Sequence, residues 1–306
     1  MQTAEITPVD LRASVVSVPP LARNADYSFN KLENQKMVDH LAAGGVTTLL
    51  YGGNAILHHV AISEYASLLE MLTEIAAEEM LIIPSVGPGF GMLRDQAKIF
   101  SQFTFPTTMI LPTRDMVTST GVAQAVRQFV DVAGKPAVLY IKHDGFIEVD
   151  DVQKLMADGC LSWIKYAIVR ENTTDDNYLR SLADAVGTER IISGMGEQPA
   201  IIHMRDFQLA GFTSGTVCVA PKLSLQMLHA IQQNEFEQAE KVRNIFKTLE
   251  DLRNSINPVR VLHTAVTQAG IANMGPILPL LCEVTSEQQA VIKETAKELL
   301  QQNEMN

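Results

Sequence analysis

The sequence predicts an α/β fold: a (β/α)8 barrel of parallel strands with a C-terminal helical extension. Three observations predict it. Short β-branched runs alternate with amphipathic segments of ten or more residues. The alternation recurs eight times, in units of about 25 to 30 residues. Beyond Pro221 the strand signal stops while helical periodicity continues. A chain of 306 residues with 46% apolar content can also bury one large core.

The strand candidates, in order, are ASVVSV (13–18), VTTLLY (46–51), MLIIPSV (80–86), TTMILP (107–112), PAVLYI (136–141), LSWIKYAIV (161–169), RIISG (190–194) and GFTSGTVCV (211–219). A helical segment follows each. SEYASLLEMLTEIAAEE is expected to open with Ser63 as N-cap and Glu64 in the first turn, and VDDVQKLMADG to close at Gly159. The tail reads as helices in PKLSLQMLHAIQQ, EFEQAEKVRNIFKTLEDLRNS, NPVRVLHTAVTQAGI and TSEQQAVIKETAKELLQQ. No Gly/Ser/Pro linker interrupts the chain, so a barrel over 1–225 is expected to carry a helical extension over 226–306 packed against it. An open doubly wound sheet would need a glycine-rich dinucleotide turn after the first strand, and none is there.

Composition narrows the function. A net charge of −11 with no Lys/Arg cluster repels phosphate backbones and anionic membrane surfaces, so nucleic acid is not expected as a partner. The start, MQTAEITPVDLRAS, lacks a basic stretch before an apolar run, and no apolar segment reaches the roughly 18 residues of a membrane span. No membrane association and a cytoplasmic location are expected. Cys160, Cys218 and Cys282 are odd in number and far apart, as reduced core thiols would be.

In a barrel the chemistry collects at the carboxyl ends of the strands. Four such ends hold residues ill suited to a core: YGGNAILHH after the second strand, PTRD after the fourth, LYIKHDG after the fifth and IKYAIVR in the sixth. Alternation puts Lys165, Ala167 and Val169 on one face of the sixth strand and Ile164, Tyr166 and Ile168 on the other. Facing inward, Lys165 would be desolvated toward a neutral amine able to form a Schiff base. The pattern alone equally allows Lys165 to snorkel to solvent or to neutralise a buried carboxylate. Tyr140 could relay protons or simply pack with its hydroxyl in water. Lys142 is a second candidate amine, at the start of the polar loop HDG, where a solvated lysine is the ordinary reading.

Two glycines and Asn54 can turn the backbone sharply and point N–H groups at an anion, although a tight turn needs glycines anyway. His58 and His59, adjacent in a strand-like segment, point apart and read as loop or substrate-contact residues. No His/Asp/Glu set has metal-ligand spacing, and SVGPGFGML lacks the Lys-Ser/Thr pair of a phosphate loop. Neither a metal nor another cofactor is expected.

Taken together, these landmarks resemble the dihydrodipicolinate synthase / N-acetylneuraminate lyase superfamily of class I aldolases, over nearly the whole chain. AGGVTTLLYGGN stands where the family has its Gly-Thr/Ser-Thr-Gly-Glu turn, VLYIKHDG where it has Tyr-Asn-x-Pro, and WIKYA where it has Gly-x-Lys. GFTSGTVCVAP and NPVRVLHTAVTQAGI…GPILPL match later family segments in order. The resemblance implies a Schiff base between Lys165 and pyruvate or a 2-keto-3-deoxy acid, with Tyr140 as proton shuttle. It implies carboxylate binding at Gly53 and Asn54, a substrate-facing backbone at Thr213, and a homotetramer or dimer.

The departures bear on which reaction is meant. The turn has lost the family's hydroxyls and its Glu, Thr113-Arg114 replaces the synthases' Tyr-Tyr, and Gly145 stands where they place a substrate-binding arginine. A true dihydrodipicolinate synthase is therefore not expected. Arg114 is the candidate for another substrate's carboxylate or hydroxyl, with a surface ion pair as its ordinary role. Three readings stay open: a lyase or aldolase on a 2-keto-3-deoxy acid, a keto-deoxy sugar-acid dehydratase using the same imine, and a noncatalytic 2-keto-acid-binding protein.

Overall fold

The computed structural model describes residues 1–305. Its strands are β1 (Val16–Ser17), β2 (Thr48–Leu50), β3 (Leu81–Ile83), β4 (Ser85–Val86), β5 (Thr108–Ile110), β6 (Ala137–Ile141), β7 (Leu161–Tyr166), β8 (Ile191–Ser193) and β9 (Gly211–Ser214). They lie in the spatial order β3-β2-β1-β9-β8-β7-β6-β5-β4, with every pairing parallel. β3 and β4 are two halves of one expected strand, parted by Pro84, which has no N–H to give the ladder. The two ends of the sheet are thus one run of chain, and the eight expected strands close into a barrel.

The helices are α1 (Pro8–Ala13), α2 (Lys31–Ala43), α3 (Ile62–Ile75), α4 (Phe90–Phe100), α5 (Ser119–Ala133), α6 (Val149–Ala157), α7 (Asn177–Val186), α8 (Glu197–Asp206), α9 (Pro221–Gln232), α10 (Phe236–Ser255), α11 (Pro258–Gln268) and α12 (Ser286–Met305). α2 to α9 surround the barrel, and α10 to α12 form the extension. α10 packs on α8 and α9, and α11 and α12 pack on α10. Its buried stripe, Ala239, Val242, Phe246 and Leu249, repeats at helical spacing and continues into Glu250 and Arg253. Among the described residues no helix is long and apolar enough to cross a membrane.

Local details correct two expectations. α3 begins at Ile62 with Ala61 as its cap residue, so Ser63 lies inside the first turn. The Glu64 carboxylate reaches back to the Ala61 N–H at 3.3 Å, which satisfies the helix end without a hydroxyl cap. The sixth expected strand stops at Tyr166 rather than Val169, whose side chain is 81% exposed in the following loop. Gly159 closes α6 as expected, at φ 69°.

Candidate active site

Every residue of β7 is buried, so its partners decide which face looks inward. Tyr166 donates its hydroxyl to Asp176, the N-cap of α7, and stacks on Tyr178 of that helix with ring centroids 6.2 Å apart. Tyr166 therefore faces the helices and Lys165 faces the barrel interior. Strand register sets Lys165 between Tyr140 of β6 and Ile192 of β8. Lys165 is 4% exposed and enters no ion pair among the described residues. Both bland alternatives fail: the chain does not snorkel out, and no carboxylate neutralises it.

Burial pushes the Lys165 ammonium down to about 7, and Lys142 and Arg253 push it the same way. Gly194, just past β8, makes room for the side chain. A Cβ there would lie 3.0 Å from Lys165 Cγ and 2.8 Å from Ala167 Cβ.

Tyr140 lies directly against this amine: Lys165 Nζ sits 4.5 Å from its ring centroid, and Lys142 Nζ 6.0 Å from the same centroid. Burial raises the Tyr140 hydroxyl above its ordinary range, so it stays protonated at neutral pH and able to donate. Lys142 is exposed at the rim, where desolvation and the Arg114 cation lower its affinity for a proton. The His143 ring nitrogen Nε2 meets the Thr113 carbonyl at 3.0 Å, which ties the loop after β6 to the loop after β5. Lys142 and Arg114 each flank that tie by one residue.

The turn after β2 is built for a close approach. Gly52 is buried, and a Cβ on it would strike Met109 Cε at 2.7 Å, whereas a Cβ on Gly53 would meet nothing within 4 Å. The carbonyls of Gly52 and Gly53 accept the N–H groups of Leu57 and Ile56. The N–H groups of Gly53, Asn54 and Ala55 have no acceptor among the described residues. Such a run of open N–H groups can hold a carboxylate. The Asn54 amide braces this turn: its Nδ2 donates to the Val18 carbonyl at 2.7 Å and fixes the turn to the loop after β1.

Thr213 lies in β9, paired with Val16 of β1, and its carbonyl accepts the Gly196 N–H at 3.1 Å. His58 is half-buried and pushed down to about 4 by burial, Lys142 and His59, so it is neutral at pH 7. His59 is exposed. Among the described residues no group of three or more His, Cys, Asp or Glu could hold a metal ion.

Behind β8 and β9 lies a charged cluster that sequence reading missed. Glu197, wholly buried at the start of α8, accepts from Ser214 Oγ at 2.5 Å, Thr216 Oγ1 at 2.7 Å and Ser224 Oγ at 2.8 Å. Thr216 Oγ1 also lies 3.0 Å from Glu250, and Arg253 donates to Glu250 at 2.6 Å. Burial, and next the Glu250 carboxylate, push the Glu197 carboxyl up. The cluster joins α10 to the barrel and sets the Arg253 guanidinium within electrostatic reach of Lys165. A signal existed in the sequence: the apolar stripe of α10 runs into two charges on the same face.

No family model and no curated protein matches this chain. Solved structures do. Dihydrodipicolinate synthase from Oceanobacillus iheyensis is 20% identical with a TM-score of 0.82, covering 95% of this chain and 98% of that one. The enzyme from Bacillus clausii is 21% identical with a TM-score of 0.82, covering 94% and 98%. The catalytic lysine mutant of Ruminococcus gnavus sialic acid aldolase is 14% identical with a TM-score of 0.83, covering 97% and 98%. The chain has the fold of dihydrodipicolinate synthase and sialic acid aldolase. The fold resemblance read from the landmarks is thus upheld over almost the full length, extension included.

Proposed function

We propose that this protein is a class I lyase or aldolase that forms a Schiff base between Lys165 and a 2-keto acid. One observation carries the reading: an inward-facing lysine without a counter-ion, pushed down to about 7, lies against a protonated tyrosine. The likeness in fold to an aldolase described by its catalytic lysine supports it.

Neutral Lys165 Nζ attacks the keto carbon, giving a carbinolamine whose hydroxyl leaves as water once it gains a proton. Tyr140 is the group placed to pass that proton and to take one back at a later step. The protonated imine then draws in the electrons of the C3–C4 bond while the C4 hydroxyl gives its proton to Tyr140. Cleavage of that bond releases an aldehyde and leaves an enamine, which gains a proton and is hydrolysed to free the keto acid and Lys165. The open N–H groups of Gly53, Asn54 and Ala55 bind the carboxylate.

Incubation with pyruvate and borohydride is expected to add one trapped adduct to the intact mass, on Lys165, absent from Lys165→Ala. Lack of an adduct with pyruvate and with a panel of 2-keto acids would remove the imine and favour the binding-protein reading, which the altered turn supports. A dehydratase that uses the same imine is the second enzyme reading, supported by the resemblance of YIKHDGFIEVDDVQKL to the sugar-acid dehydratase branch of the superfamily. Release of pyruvate from a 2-keto-3-deoxy acid marks a lyase, and release of water with carbon number intact marks a dehydratase.

A further inference from the structure

The rim beside Lys165 carries more positive charge than one keto-acid carboxylate requires. Lys142 Nζ and Lys165 Nζ both lie over the Tyr140 ring. Arg114 stands next to them across the His143–Thr113 tie, and its charge is felt at Lys142. None of the three enters an ion pair among the described residues. The nearby acids leave them uncompensated: Asp144 is taken by Arg170, which also holds Asp176, and Asp115, beside Arg114 in the chain, pairs with neither cation. A chain of net charge −11 that sets two unpaired cations, Lys142 and Arg114, side by side at the rim above Lys165 has built an anion site there.

The keto acid's own carboxylate has a place already, at the open N–H groups after β2. Resting on the imine reading above, we infer that the substrate is a 2-keto acid with a second anionic group remote from the keto carbon, held by Lys142 and Arg114. A carboxylate or a phosphate has the required chemistry: Arg114 presents paired donors and Lys142 a point charge. A neutral polyol tail would leave both cations unmatched.

The test compares two five-carbon probes that differ at one end, 2-oxoglutarate and 2-oxopentanoate, on the intact protein. Calorimetric affinity and the concentration giving half-maximal borohydride trapping are both read. The dianion is expected to bind about tenfold tighter in the wild type, the order of two solvent-facing charge contacts. The ratio should fall to near one in the Lys142→Gln/Arg114→Gln double variant. A 2-keto-3-deoxy acid with a terminal phosphate, run in parallel, supports the inference if it shows the same dependence on the two cations.

Equal affinity for the two five-carbon probes in the wild type would overturn the inference. So would a preference that survives in the double variant. A double variant that loses 2-oxopentanoate as severely as 2-oxoglutarate would place Lys142 on the first carboxylate and likewise end it. The imine reading fails separately: it requires a Lys165 adduct with pyruvate or another 2-keto acid, whereas the calorimetric ratio tests the second anion whether or not an adduct forms.

Discussion

Lys165 and Arg253 are two buried cations within electrostatic reach of each other, and the molecule treats them in opposite ways. Arg253, 8% exposed, donates to Glu250 at 2.6 Å and to the Pro258 carbonyl at 3.2 Å. Lys165, 4% exposed, has an aromatic ring beside it, two cations nearby and no anion. Burial alone does not make a reactive amine; burial with the counter-ion withheld does. The paired arginine ties α10 to the start of α11 and holds the Glu250 carboxylate that meets Thr216, while burial without a partner pushes the lysine down to about 7.

The comparison breaks most plainly by removing each cation in turn. Lys165→Met is expected to abolish both the borohydride adduct and turnover while making the protein no less stable. The sign follows from linkage: the folded state holds Lys165 at about 7, below its ordinary 10.5, so the unfolded chain binds more protons between those values. The wild type therefore carries a penalty that is full below pH 7 and fades as pH rises toward 10.5. Melting curves at pH 6 and 10 should show Lys165→Met gaining more at pH 6; a loss of stability at pH 6 would mean that the amine has an unseen partner. Arg253→Met does the reverse, leaving Glu250 buried without its cation, and should cost about 3 kcal/mol in denaturant unfolding. Tyr140→Phe touches neither charge. It should still form the pyruvate adduct but turn over about 100-fold more slowly, and unchanged turnover would take Tyr140 out of the proton path.

What was legible beforehand divides along the same line. The strands could be read because both of their faces are apolar, and Lys165 stood out because an ammonium contradicts that pattern. Its orientation could not be read from alternation, which fixes only that neighbours face apart; the contact between Tyr166 and Asp176, ten residues on, decided it. The bond from the Asn54 amide to the Val18 carbonyl, 36 residues earlier, has no trace in the local sequence. The Glu197, Glu250 and Arg253 cluster was missed for a similar reason. Its members meet only because α10 folds back on α8, and each looks alone like an ordinary surface charge on an amphipathic helix. The lone cap at Ser63 misled because a carboxylate one residue later can reach the same helix end.

The smallest expected effect is the most specific to the withheld counter-ion. Only the neutral amine attacks a keto carbon, so the rate of imine formation should rise with pH and level off above about 7. After burial, Lys142 is the next contribution to that position. Removing a neighbouring positive charge lets the ammonium keep its proton more easily, so Lys142→Gln should move the midpoint to higher pH and slow imine formation at pH 7. The plateau rate at high pH, where the amine is neutral in both proteins, should change far less for a monocarboxylate such as pyruvate. Stopped-flow rates from pH 6 to 9 measure both quantities at once. A lowered plateau with an unmoved midpoint would show Lys142 acting on the substrate carboxylate and not on the amine, and the electrostatic account of Lys165 would then rest on burial and Arg253 alone.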